Sequence, residues 1–234
     1  MHKYIVKTIF ILLLGSSISY SFGLLPKHLI SFSSDRGMQY IQRNKQSNSL
    51  RLLEHFTTQK YLTYCGVASA VMVLNTIQHN IPLDEKHRPF HYFTQDNFFD
   101  KRVSKIISEE LIQKNGITLT QLYKTIQQFG VSTKVIYANE ISESIFRAQL
   151  KHAIQHEQYV IVNFLRSNLQ QAGEGHFSPI AAYDEISDRF LVLDVARYMY
   201  PPFWVKTSDL WSAVDTKDGN FYRGFIITSS PPQT

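Results

Sequence analysis

The hydrophobic pattern of this 234-residue chain changes period part-way along, and that change limits the fold more than any other feature. As far as about Gln155 most apolar side chains recur at helical intervals, whereas from Tyr159 they follow strand intervals. The most apolar helical run starts at Cys65 and continues to about Gln78, with Val67, Val71, Leu74 and Ile77 at helical spacing. A loop containing Pro82 and Pro89 ends it. Further helices are predicted over 36–44, 104–114, 118–129 and 142–155, with Gly116 separating the middle two and Thr118 as an N-cap. Val131–Tyr137 alternates like a strand, and Tyr159–Leu165 reads as a buried strand. Residues 176–183 and 189–198 bracket a hairpin loop, Asp184–Asp188. Residues 207–214 read as a short helix and 224–229 as a last strand. Helices first and strands afterward point to an α+β fold with a helical lobe packed on an antiparallel sheet.

A hydrophobic fraction of 44% with 13% aromatics is ample for a packed core, and no stretch reads as disordered. Residues 1–21 read as a secretory signal peptide, which implies export to a periplasmic or extracellular space and leaves 22–234 as one domain. Lys3 and Lys7 form its positive region, Ile9–Leu14 lies in its apolar core, and Ser19 and Ser21 offer the small residues a signal peptidase reads. The alternative, an uncleaved anchor, is disfavoured because Gly15–Ser21 carries four serines and shortens the apolar run. The formal charge of +5 falls to +3 without Lys3 and Lys7, from 22 basic and 19 acidic residues. Such a weak, scattered excess does not indicate a nucleic-acid partner and supports only mild attraction for small anions. No phosphate-binding loop or dinucleotide fingerprint is present, so the sequence supports neither nucleotides nor NAD. His87 and His91 flank Pro89, which disfavours a helical metal site and favours an exposed loop.

Cys65 is the only cysteine, so it has no intramolecular disulfide partner. It is either a packing residue or a nucleophile. At a helix N-terminus the dipole favours the thiolate. A cysteine acyl-transfer enzyme also needs an imidazole and a group that orients it. If Tyr183 faces Phe190 across the hairpin loop, His176 and Asp194 fall on neighbouring strands within a few residues of opposition. Gly173 and Gly175 precede His176 and would let backbone approach a substrate closely. The order Cys, His, Asp is the papain-like order. Each residue also has a structural explanation: most buried cysteines are inert, most of the nine histidines pack or face solvent, and Asp194 could end a strand.

Four segments, Phe56–Asn75, Gly175–Ile180, Leu193–Trp204 and Tyr222–Phe225, resemble the phytochelatin synthase family, and the similarity spans about residues 25–230. The resemblance implies a papain-like fold, with Cys65 as nucleophile, His176 as general base and acid, and Asp194 as the orienting residue. It implies that Gln59 helps form an oxyanion hole, that Gly66, Asn163 and Gly175 line an acyl pocket, and that Asp218 and Arg223 hold the zwitterionic end of a γ-glutamyl group. Cleavage of the Cys–Gly bond of glutathione would then give γ-glutamylcysteine by hydrolysis, or short phytochelatins by transfer to a second glutathione. Short members of the family resemble hydrolases with weak transferase activity, so hydrolysis ranks first. No cofactor is needed for this chemistry, and cadmium or zinc would enter only as a thiolate complex of the substrate. Family members are often dimers, and a homodimer stays open here. Two other readings are an exported papain-like peptidase of different specificity and a non-catalytic glutathione-binding module.

Overall fold

The computed structural model describes residues 23–231, so the leader read over 1–21 lies outside the described residues. Its elements in chain order are β1 (Ile30–Ser31), α1 (Asp35–Arg43), α2 (Cys65–Ile77), α3 (Glu109–Asn115), α4 (Leu119–Gln127), β2 (Ser132–Tyr137) and α5 (Glu143–Gln155). There follow β3 (Tyr159–Leu165), β4 (Gly175–Asp184), β5 (Arg189–Val192), β6 (Phe203–Lys206), α6 (Thr207–Val214), β7 (Lys217–Asp218), β8 (Phe221–Tyr222) and β9 (Gly224–Ser229). Seven strands form one antiparallel sheet in the order β1-β6-β5-β4-β3-β9-β2, and β7 pairs with β8. The α+β expectation holds.

Side chains of β3 alternate between two cores. Tyr159 and Ile161 join the cluster containing α2 and α4, while Val160, Val162 and Phe164 join that of α5 and α6. Helices therefore cover both faces of the sheet, where the sequence suggested one helical lobe. Every residue from Cys65 to Thr76 is buried, which makes α2 the helix around which the first core is built. Gly66 lets it pack closely, because a Cβ there would lie 2.6 Å from Ile117 Cγ2.

Most predicted elements recur with ends moved by a residue or two. Thr118 caps α4 through a reciprocal box with Gln121. The helix expected over 104–114 is confined to Glu109–Asn115, with Ser108 as its cap and only a single 3-10 turn at Val103–Lys105 before it. The strand expected to reach Tyr198 ends at Val192, and residues 193–202 form an irregular connection. β1 and β6 were not foreseen, and together they form one edge of the sheet. Among the described residues no helix is long and apolar enough to cross a membrane.

Candidate active site

Cys65 begins α2, and His176 is the second residue of β4. Asp194 follows the end of β5, beyond a bulge between Ile180 and Ala182. The hairpin pairs Tyr183 with Phe190 as expected, but beyond the bulge Ile180 faces Val192, which carries Asp194 one residue nearer to opposition with His176. The two meet: His176 Nε2 donates to Asp194 Oδ1 at 2.9 Å. Nδ1 is left free of Asp194, and His176 is close enough to Cys65 to lower the pKa of its thiol. The structure thus brings together the three residues expected to form the catalytic unit. All three are buried.

Burial alone pushes the Cys65 thiol up, but the hydrogen bond to His176, the charge of that imidazole, and the N–H groups of Phe177 and Gly66 outweigh it and bring the pKa below the ordinary value. For His176, burial lowers the pKa and Arg166 lowers it too, yet the Asp194 carboxylate leaves it above the usual value. Burial likewise raises Asp194, and the charges of His176 and Arg166 overcome this, holding its carboxyl well below the usual carboxylate range. The result is a thiol disposed to lose a proton beside an imidazole disposed to keep one.

Arg166, on the 3-10 turn Arg166–Leu169 that follows β3, was not singled out from sequence. Its Nη2 donates to Asp194 Oδ1 at 2.9 Å, and Nη1 lies 2.9 Å from Oδ2. A charged residue directly after a buried strand is the one local signal that might have prompted a search for a buried partner. Gln171, whose Oε1 accepts from Arg166 Nη1 at 2.7 Å, carried no such signal.

Gln59 is buried, and its backbone N–H donates to the carbonyl of Val195, beside Asp194. Its side-chain Nε2 donates to the carbonyls of Tyr61 at 2.8 Å and Leu62 at 2.9 Å, while Oε1 is buried without a partner. To donate to an oxyanion the amide would have to release or share one of those carbonyls. Gly66 is held in core packing, so its contribution to an acyl pocket would be limited to backbone.

The remaining predicted residues converge on Arg223, just before β9. Its Nη1 donates to Asn163 Oδ1 on β3 at 3.3 Å and lies 3.4 Å from Asp218 Oδ1 on β7. At Gly175, adjacent to His176, a Cβ would meet Arg223 Nη2 at 2.8 Å, so any side chain there would have to displace the guanidinium. Arg223 Nε is buried and unpartnered. Burial lowers the Arg223 pKa against the opposing charges of Asp218 and Glu174. A buried cation with a spare donor therefore packs against Gly175, the residue that precedes His176 on β4. Among the described residues no group of three or more His, Cys, Asp or Glu is placed to hold a metal ion.

The family model of phytochelatin synthase matches residues 21–225. The chain belongs to the phytochelatin synthase family. The fold of this family is papain-like, in agreement with α2 packed against the antiparallel sheet. A Lotus japonicus relative named glutathione gamma-glutamylcysteinyltransferase 3 is 32% identical over 207 residues, covering 86% of this chain and 42% of the relative. Arabidopsis thaliana glutathione gamma-glutamylcysteinyltransferase 2 is 30% identical over 210 residues, 86% of this chain and 45% of that protein. The Schizosaccharomyces pombe glutathione gamma-glutamylcysteinyltransferase is 26% identical over 211 residues, 87% of this chain and 49% of that protein. The chain thus spans less than half the length of these relatives.

Proposed function

We propose that this member of the phytochelatin synthase family is a cysteine acyl-transfer enzyme that cleaves the Cys–Gly bond of glutathione. The observations that support the reading are the buried Cys65, His176 and Asp194 side chains brought together, and the Arg223 cluster packed against Gly175, which precedes His176 on β4. In this reading the substrate α-carboxylate pairs with Arg223 and its α-ammonium with Asp218, as charge-assisted hydrogen bonds. Asn163 and the backbone at Gly66 and Gly175 border the acyl group.

The Cys65 thiolate attacks the carbonyl carbon of the Cys–Gly amide, and the oxyanion is met by backbone N–H at the start of α2 and by the Gln59 amide. Imidazolium His176 gives its proton to the nitrogen of departing glycine, leaving a γ-glutamylcysteinyl thioester on Cys65. His176, now neutral, takes a proton from water, which cleaves the thioester and releases γ-glutamylcysteine. A second glutathione amine in place of water would give the shortest phytochelatin, and we rank hydrolysis first. Cadmium or zinc would act as a thiolate complex of the peptide substrate, and no resident cofactor enters a step. The leader-like residues 1–21 would put this activity outside the cytoplasm.

The test is to incubate wild type and Cys65→Ser with glutathione, with and without cadmium, and to identify products by mass spectrometry. Glycine and γ-glutamylcysteine are expected from wild type alone. No glycine from wild type, or equal release by Cys65→Ser, defeats the reading. Comparable cleavage of a blocked, uncharged peptide would make the protein a peptidase instead.

A further inference from the structure

A fourth charge, Arg166, is buried beside Cys65, His176 and Asp194. Its Nη2 shares Asp194 Oδ1 with His176 Nε2 and with the N–H of Ala196, each at 2.9 Å. Nη1 faces Oδ2 and is anchored by Gln171. The guanidinium lies over the Tyr200 ring at 5.3 Å, and Tyr200 is itself tied down by the N–H of Ala172 at 2.7 Å. The stem runs close beneath Gly173, where a Cβ would meet Arg166 Cδ at 3.1 Å. The cation is thus enclosed on every side that the structure shows.

We propose that Arg166 is a positioning residue that cancels the charge of Asp194, so that the carboxylate aims His176 as a neutral amide would and adds no net negative charge to the Cys65–His176 pair. The proposal rests on Cys65 being the nucleophile and not on glutathione being the substrate. With thiolate, imidazolium, carboxylate and guanidinium all present, the buried cluster is neutral. Without Arg166 it carries one uncompensated negative charge, which favours the protonated form of every neighbour. The titratable and charged groups facing it are Cys65 from α2, His176 from β4, and Asp194, Tyr198 and Tyr200 from the connection after β5. Burial raises the Tyr198 pKa, so the balance is set by the four charges named.

The test reads the sulfur directly and needs no glutathione. The acid limb is the pH at which iodoacetamide alkylation of Cys65 reaches half its plateau. The alkaline limb is the pH at which reaction with anionic iodoacetate, which the imidazolium assists, declines. Arg166→Gln should move both limbs up by about one pH unit. Asp194→Asn, which leaves the cation uncompensated, should move both down by a similar amount. Arg166→Gln with Asp194→Asn should return both limbs to the wild-type positions, and Arg166→Lys should hold them near wild type. If Arg166→Gln does not fold, as circular dichroism would show, the return from Asp194→Asn to the double variant decides. Limbs that stay put in folded Arg166→Gln, or a double variant that stays where Asp194→Asn is, overturn the proposal. Failure of wild-type Cys65 to react faster than an ordinary thiol at mildly acidic pH defeats instead the assignment of Cys65 as nucleophile.

Discussion

Asp184 and Asp194 are both buried carboxylates held by arginine near opposite ends of the β4–β5 pair, but only one of them touches a reactive group. Asp184 accepts from Arg43 Nε and Nη2 at 2.9 and 2.7 Å, from Asn44 Nδ2 at 3.0 Å, and from Ser187 N and Oγ at 3.0 and 2.6 Å. None of those donors titrates near neutral pH, so Asp184 acts as a clamp that fixes α1 and the hairpin turn to the sheet. Asp194 makes the same kind of ion pair, and its third donor is an imidazole in contact with a thiol. The chemistry of the two pairs is nearly identical. What separates them is the one titratable donor, which under the proposed function makes a structural ion pair part of a proton relay.

The comparison can be broken most sharply at the imidazole. His176→Ala should abolish rapid Cys65 alkylation at mildly acidic pH and reduce glycine release from glutathione by about 10²–10⁴-fold, while Asp184→Asn leaves both near wild type. An equal loss in Asp184→Asn, with the fold intact, would mean that the hairpin clamp and not the relay governs reactivity. Next in size are the stability effects, measured by denaturant unfolding. Asp194→Ala strands Arg166, whose side chain is 3% exposed, and should cost about 3–5 kcal/mol. Asp184→Ala should cost less, about 1–3 kcal/mol, because Arg43 is 38% exposed and can turn to water. Reversal of that order would put the tighter clamp at the hairpin.

Acid titration sharpens the same contrast. Burial raises the Asp184 pKa, and the hydrogen bonds from Arg43 and Ser187 more than offset it, so the folded value lies below the ordinary one. Its stabilisation is therefore complete above the unfolded value of about 4 and is lost as pH falls through the folded value. Unfolding free energy measured against pH should drop less steeply on the acid side in Asp184→Asn than in wild type, and an unchanged slope would remove Asp184 from the account. The smallest effect is expected at the rim of the hairpin: Lys151→Ala breaks a pair with Glu185, which is 70% exposed, and should alter stability by no more than about 0.5 kcal/mol. A larger loss would show that the hairpin is held from its surface as well as from Asp184.

Elements with a strong local signal were legible in the sequence. The run from Cys65 was predicted to about Gln78 and spans Cys65–Ile77, because apolar residues at helical spacing leave few alternatives. Buried strand β3 is legible as a short unbroken apolar run, and the Asp184–Asp188 turn as a polar break between two strand-like runs. The segment after Val192 was misread as strand because Leu193, Val195 and Ala196 are buried and apolar, yet Ala196 N turns inward to Asp194 Oδ1 and leaves the ladder. The two-residue β1 offers too little pattern to recognise, and it forms only because β6 presents a free edge. Gln59 shows the same limit: the family resemblance implied an oxyanion donor, but only the surrounding loop reveals that its amide nitrogen donates to two backbone carbonyls.

By itself the sequence determined the α+β class and the lone thiol at a helix start, since hydrophobic period and residue chemistry are local properties of a chain, and it nominated His176 and Asp194 as the imidazole and carboxylate to look for beside that thiol. Tertiary structure alone decided which cations those carboxylates meet: Arg43 comes from α1 to reach Asp184, and Arg166 turns back from the end of β3 to reach Asp194. Such pairings depend on how the strands are ordered and on a single bulge in β4, because a charge is stabilised by whatever lies within a few ångströms in space, however far away it is along the chain.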